Sequence, residues 1–214
     1  MKFHQYMLQL YVKKINMKFI FDLDGTITSQ ETLPLIARHF NVEEEIANLT
    51  KETIKGNIPF IESFIRRVHI LGKLPVDQVA DLLSKVNLYN EVFTFIQNNR
   101  ENCIIATGNL DCWISKLANT IGCKTYTSEA KILNNQVAKL VTILRKEDIV
   151  NKYKSLGEKI VYIGDGNNDA EAMRLSDISI AAGLTHMPSN NVLPFSNYLV
   201  FNQSSLCRQL NQLL

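Results

Sequence analysis

Short apolar runs that stop abruptly at polar, glycine-rich turns constrain this chain more than any other feature. Lys18–Phe21 ends at Asp22, and Cys103–Ala106 runs into Thr107-Gly108-Asn109. Ile160–Ile163 runs into Gly164-Asp165-Gly166, and Ile178–Ala181 runs into Ala182-Gly183. Almost wholly apolar runs of this length suit parallel strands covered on both faces, and the helical stretches between them imply an α/β, doubly wound, Rossmann-like sheet. Ligands of such sheets bind beyond the carboxyl ends of the strands, where these turns lie.

The first two runs are separated by about 80 residues, far more than one crossover helix requires. Ile58, Ile61, Ile65, Val68 and Leu71 recur at helical spacing, with Asn57 as the expected cap and Pro59 in the first turn. Val76, Val79, Leu82, Leu83 and Val86 repeat the pattern after Pro75. Asn41 followed by Glu44 suggests a capping pair for a helix from Val42 to about Thr53. We therefore expect an α/β core, residues 17–31 and 88–214, with a helical bundle inserted at 32–87 and an extension at 1–16. Between Thr125 and Leu144 the pattern turns β-branched around Asn134-Asn135, the signature of a hairpin, and Leu206, Leu210 and Leu213 mark a terminal helix.

Composition narrows the function. With 23 basic and 21 acidic residues the formal charge is +2, and the positives are scattered, so neither nucleic acid nor an anionic membrane is an expected partner. No apolar run approaches the roughly 20 residues a membrane-spanning helix needs, and Met1–Asn16 lacks the small-residue cleavage site of a signal peptide. Cys103, Cys112, Cys123 and Cys207 lack metal or redox spacing; isolated thiols, and hence the cytoplasm, are expected. A monomer or homodimer acting on a small molecule follows.

Asp22-Leu23-Asp24-Gly25-Thr26 sets two carboxylates two positions apart at a strand end, where the glycine lets the chain turn over the crevice. A calcium loop is excluded, because Thr26 and Leu33 stand where its fifth and twelfth ligands belong. Gly164-Asp165-Gly166-Asn167-Asn168-Asp169 gathers further carboxylates at another strand end. Like charges in a partly desolvated crevice need a compensating cation, and oxygen ligands alone point to magnesium rather than zinc. The four histidines show no ligand spacing and are assigned no catalytic role.

In order along the chain, this set resembles the haloacid dehalogenase-like superfamily, whose phosphatases carry DxDG[TS], a Ser or Thr after a second strand, a Lys, and GDxxxD. The resemblance spans Lys18 to Ala181. It implies Asp22 as nucleophile and Asp24 as general acid and base. It implies magnesium at Asp22, Asp24 (through its backbone carbonyl), Asp165 and Asp169, with Asp169 orienting the lysine or a metal-bound water. Thr107 and Lys146 would hold the transferring phosphoryl group, with Lys152 as the alternative lysine. An aspartate at position 24 favours hydrolysis of a phosphate monoester, because an alkoxide leaving group needs a proton donor.

A finer resemblance is to phosphoserine phosphatases, which carry a glutamate nine residues after the nucleophile, as Glu31 follows Asp22, and an arginine in a stretch like Ser63–Leu71. It implies that Arg67 pairs with a substrate carboxylate and Glu31 with an ammonium group. Where those enzymes show Ser-Gly-Gly, this chain has Thr107, Gly108 and Asn109, which also line the expected substrate pocket. The Asn109 side chain occupies space that glycine would leave open. Sugar, vitamin and other metabolite phosphates therefore stay open as substrates, as does a phosphotransferase that passes the phosphoryl group to a small acceptor.

Overall fold

The computed structural model describes residues 17–54 and 57–214, so the expected extension at 1–16 lies outside the described residues. The first strand, β1 (Met17–Phe21), leads into four helices: α1 (Thr32–His39), α2 (Glu43–Ile54), α3 (Phe60–Leu71) and α4 (Val76–Leu83). Helix α5 (Asn90–Asn98) returns the chain to β2 (Cys103–Leu110), and α6 (Asp111–Ile121) leads to the hairpin β3 (Lys124–Leu133) and β4 (Gln136–Thr142). Then come α7 (Lys146–Ser155), β5 (Lys159–Gly164), α8 (Ala170–Leu175), β6 (Ile178–Ala182), β7 (Tyr198–Val200) and α9 (Gln203–Leu213).

The strands form one sheet in the order β4-β3-β2-β1-β5-β6-β7, parallel throughout except for the antiparallel β3–β4 pair. The α/β doubly wound expectation holds. Alternation along the strands sends Phe19, Phe21, Ile105, Val161 and Ile163 to one face, where α5, α6 and α9 supply Phe95, Trp113, Leu117 and Leu206. Ile20, Ile104, Ile160 and Tyr162 point to the other, against Ile149 and Val150 of α7 and Met173 of α8. Burial on both faces is why these strands read as continuous apolar runs; each large side chain so buried contributes about 1.5–3 kcal/mol.

The hairpin turn is as expected: Asn134 and Asn135 adopt φ of 50° and 61°, the left-handed pair that matches strand twist. Its first arm also continues the parallel sheet, with Ile104 opposite Lys124 and Ile105 opposite Thr125. At the hairpin tip, Val76 N–H donates to the Asn135 carbonyl at 2.8 Å and Val137 N–H to the Gly72 carbonyl at 2.9 Å, fixing the α3–α4 connection.

Local expectations fail in four places. Asn41 does not cap the following helix; its φ of 59° makes it the left-handed residue just beyond α1, its N–H bonded to the Arg38 carbonyl at 3.3 Å. Pro59, not Asn57, is the N-cap residue of α3, and the Asn57 amide instead donates to Glu52 at 2.7 Å. Ile61 and Ile65 are exposed, because α3 turns Phe64, Val68 and Leu71 inward together with the buried Ser63. Strand β7 went unanticipated although residues 198–201 are an apolar run as long as those of the other strands, and Asn202, which accepts from Ser205 N–H at 2.8 Å, is an unanticipated cap for α9.

Candidate active site

Four parallel strands end on one edge of the sheet, and their turns converge there. Asp22 follows β1 directly, its N–H held by the Ile163 carbonyl of β5 at 2.8 Å, which sets its side chain at the sheet edge. Gly25 makes the turn with φ of +69°; a Cβ there would sit 3.1 Å from a Glu31 oxygen and 3.4 Å from an Asp165 oxygen. The second carboxylate is thereby carried over the edge. Asp24 accepts from Thr32 N–H at 2.8 Å through Oδ1 and from the Asn109 amide at 2.7 Å through Oδ2. The same amide reaches Thr32 Oγ1 at 2.7 Å, so Asn109 ties β2 to the start of α1.

Beyond Ala106, β2 leaves its pairing with β3 until Leu110, and this break frees Thr107, Gly108 and Asn109 to line the crevice. Thr107 is buried, its hydroxyl accepting from Asn109 N–H at 3.2 Å.

Lys146 opens α7 and is 2% exposed. Its Nζ lies 2.7 Å from Asp22 Oδ1 and 2.6 Å from Asp169 Oδ1. Lys152 lies elsewhere, donating to the Tyr126 hydroxyl at 3.0 Å. Asp169 is saturated: Oδ1 also accepts from the Tyr162 hydroxyl at 2.7 Å, and Oδ2 accepts from the N–H groups of Asp165 and Gly166 at 3.1 and 2.9 Å. Gly164 makes room for it, since a Cβ there would fall 2.6 Å from the Asp169 carboxyl carbon. Asp165 accepts from the Thr26 hydroxyl at 3.2 Å.

Asp22, Asp24, Thr107, Asn109 and Asp165 line a cavity of about 590 Å³ that also includes Glu31, Phe64 and Arg67. A second cavity of about 590 Å³, between α1 and α2, gathers no carboxylate cluster. Arg67, on α3, is half-buried, and its Nε is buried without a hydrogen-bond partner. Burial lowers its pKa, against the opposing pull of the Glu31 charge.

One residue escaped the sequence reading. His186, in the loop after β6, places Nε2 3.0 Å from Glu31 Oε1 and 3.1 Å from Asp165 Oδ2. It carried no spacing signal; its only sequence mark was a place four residues past the carboxyl end of a strand.

The electrostatics follow from crowding. Burial pushes Asp22 well above the usual carboxylate range against the pull of Lys146, with Asp169 and Asp165 adding to the rise. Burial and then the Glu31 charge raise Asp24 to about 6, and burial and then Asp169 raise Asp165 to about 7. Ligand oxygens of Asp22, Asp165 and Asp169 lie within 4.8 Å of one another. Asp169 is already filled by its four donors, so the oxygens open to a cation are those of Asp22 and Asp165, a buried, repelling, all-oxygen pair that fits a hard divalent ion such as magnesium.

Residues 19–177 match the family described as haloacid dehalogenase-like hydrolase. The chain belongs to that family. A phosphoserine phosphatase of Methanocaldococcus jannaschii is 25% identical over 175 residues, which cover 76% of this chain and 83% of that protein. One of Wolinella succinogenes is 28% identical over 166 residues, 71% of this chain and 80% of that protein. A solved structure of a phospho-aspartyl intermediate analogue of phosphoserine phosphatase superposes with a TM-score of 0.76 at 22% identity, covering 92% of this chain and 99% of that one; this likeness establishes the shared fold. Within the haloacid dehalogenase-like hydrolases, then, the strand-end carboxylates of this chain occupy a fold common to phosphoserine phosphatases.

Proposed function

We propose that the protein is a magnesium-dependent phosphatase that hydrolyses a small, carboxylate-bearing phosphate monoester, phosphoserine or a compound like it. The observation that carries this reading is the convergence of Asp22, Asp24, Thr107 and Asp165 on one cavity that also holds Arg67, with Lys146 buried against Asp22 beside it.

An Asp22 carboxylate oxygen attacks phosphorus, the bond from phosphorus to the ester oxygen breaks, and the departing alkoxide takes a proton from Asp24. A pKa of about 6 equips Asp24 for both directions of this transfer near neutral pH. Water then attacks the phosphorus of the aspartyl phosphate, gives a proton to Asp24, and releases inorganic phosphate with the Asp22 carboxylate restored. The Thr32 N–H and the Asn109 amide hold both Asp24 oxygens in place through these steps. Lys146 neutralises Asp22 and is positioned to meet phosphoryl oxygens, as is Thr107. Magnesium would be held by the carboxylates of Asp22 and Asp165 with the Asp24 backbone carbonyl, supplying positive charge against phosphate–carboxylate repulsion. We read Asp169 as the anchor of Lys146 and of the 165–166 backbone, because its oxygens already accept four donors.

The helices of residues 32–87 act as a substrate-selecting cap over a core of residues 17–31 and 88–214, and Arg67 receives the substrate carboxylate. Its buried, unpartnered Nε supports this role, since such a donor costs about 1–3 kcal/mol until an acceptor arrives. Asp22→Asn should abolish magnesium-dependent turnover of a generic aryl phosphate; undiminished activity would refute the nucleophile assignment. A phosphate-release screen over metabolite monoesters then identifies the substrate.

A further inference from the structure

Asn109 stands where phosphoserine phosphatases show the last glycine of Ser-Gly-Gly, so its side chain is this chain's own addition to the crevice. It lines the cavity but is only 4% exposed. Its Nδ2 lies 2.7 Å from Asp24 Oδ2 and 2.7 Å from Thr32 Oγ1, which occupies both amide hydrogens. Oδ1 is buried without a hydrogen-bond partner. The reverse orientation of the amide would set Oδ1 against the Asp24 carboxylate. Leaving an acceptor unpaired costs about 1–3 kcal/mol, so the contact with Asp24, and not the amide's own needs, decides how Asn109 lies.

The contact bears on what Asp24 has to do. A carboxyl group turns about one broad, two-fold torsion, and a general acid must present its proton to the ester oxygen. Thr32 N–H, at the start of α1, holds Oδ1 at 2.8 Å. That bond alone leaves the carboxyl group free to turn about it. Asn109 holds the other oxygen from a different element, the end of β2, and two bonds from two elements fix the plane. A glycine at this position would supply no such donor.

We propose that Asn109 is a positioning residue for general acid catalysis, fixing the plane of Asp24 so that its proton faces the departing oxygen. This rests on the phosphatase reading and deepens it, assigning Asn109 to the acid rather than to the wall of the substrate pocket. Its contribution then grows with the need of the leaving group for a proton. An acidic phenol departs as phenoxide with little help, whereas a weakly acidic phenol or an alcohol must be protonated as its bond to phosphorus breaks.

The test uses dinitrophenyl, nitrophenyl and phenyl phosphate with magnesium, read as kcat/KM, which reports the step that releases the phenol. A general acid contributes about 10²–10⁴-fold and a misplacement of about 1 Å costs about 10²-fold, so Asn109→Ala should lower kcat/KM for phenyl phosphate by about 10–100-fold, and by a smaller factor at each step toward dinitrophenyl phosphate. Asn109→Leu, which keeps the volume without the donor, should do the same. Ratios between substrates within one variant do not depend on the fraction of it that is folded. In an Asp24→Ala background, with phenol release followed in a single turnover, Asn109→Ala should steepen the dependence on the phenol no further. A loss equal across the series, no loss at all, or the same steepening without Asp24 overturns this inference and leaves the phosphatase reading standing. Absence of wild-type turnover on every aryl phosphate overturns both.

Discussion

Replacing Lys146 with methionine removes the buried cation that bonds Asp22 at 2.7 Å and Asp169 at 2.6 Å. Breaking a buried pair from one side costs about 3–5 kcal/mol, since the remaining charges stay desolvated. Protonation limits that cost. A carboxyl group of ordinary pKa near 4 is neutralised at pH 7 for about 1.4 kcal/mol per pH unit, or about 4 kcal/mol, and at pH 5 for about 1.4 kcal/mol. Lys146 itself is charged across this window, because its two carboxylate partners outweigh burial and raise its pKa. Asp22, raised above its unfolded value by burial, already makes the wild type lose stability as pH rises, so the variant is compared with wild type at each pH. In the variant, the folded pKa of Asp22 rises further, and stability is lost as pH climbs toward that value. Urea unfolding in EDTA should thus show Lys146→Met less stable than wild type by about 4 kcal/mol at pH 7 and by about 1–2 kcal/mol at pH 5. Adding Asp169→Asn should recover part of the loss. A deficit below about 1 kcal/mol at pH 7, or one that does not change with pH, would refute the argument that Lys146 is the charge balance of this site.

Other outcomes follow from the same geometry. Asp24 at about 6 and Asp165 at about 7 both lie above their unfolded values, so the metal-free protein should lose stability as pH rises from about 4 to 7. Magnesium should accordingly raise Tm more at pH 8 than at pH 5, and equal shifts in a thermal scan would contradict this. Asn202→Ala removes the cap bond to Ser205 N–H and should cost about 1 kcal/mol in chemical denaturation with no change in aryl phosphate turnover.

What the sequence discloses here depends on how local the determining forces are. The strands that carry Asp22, Thr107 and Asp165 are buried on both faces, so composition alone marks them, and their abrupt ends mark the crevice. Lys146 and Lys152 could not be separated in sequence, because α7 carries both and only its packing turns the first beneath the sheet edge. The asparagines mislead for a related reason. Asn41 and Asn57 are cap-forming side chains, yet Asn41 takes the left-handed backbone just beyond α1 and the Asn57 amide is spent on Glu52. His186 was illegible because bonds from Thr185 to Gly25 and from Ser189 to Asp165, both long in sequence, aim it.

The clasp between the hairpin tip and the α3–α4 connection also bears on how the cavity admits a ligand. Gly72 is bonded to Val137 of β4 and Val76 to Asn135 of the hairpin turn, which ties the carboxyl end of α3 to the hairpin. Arg67 precedes Gly72 by five residues, about 7.5 Å along a helix axis. Any swing of α2 and α3 thus pivots near Gly72 on a short lever at Arg67 and a longer one at Phe60. Arg67 lies near the fixed end of α3, and Phe60 at the end farthest from the clasp.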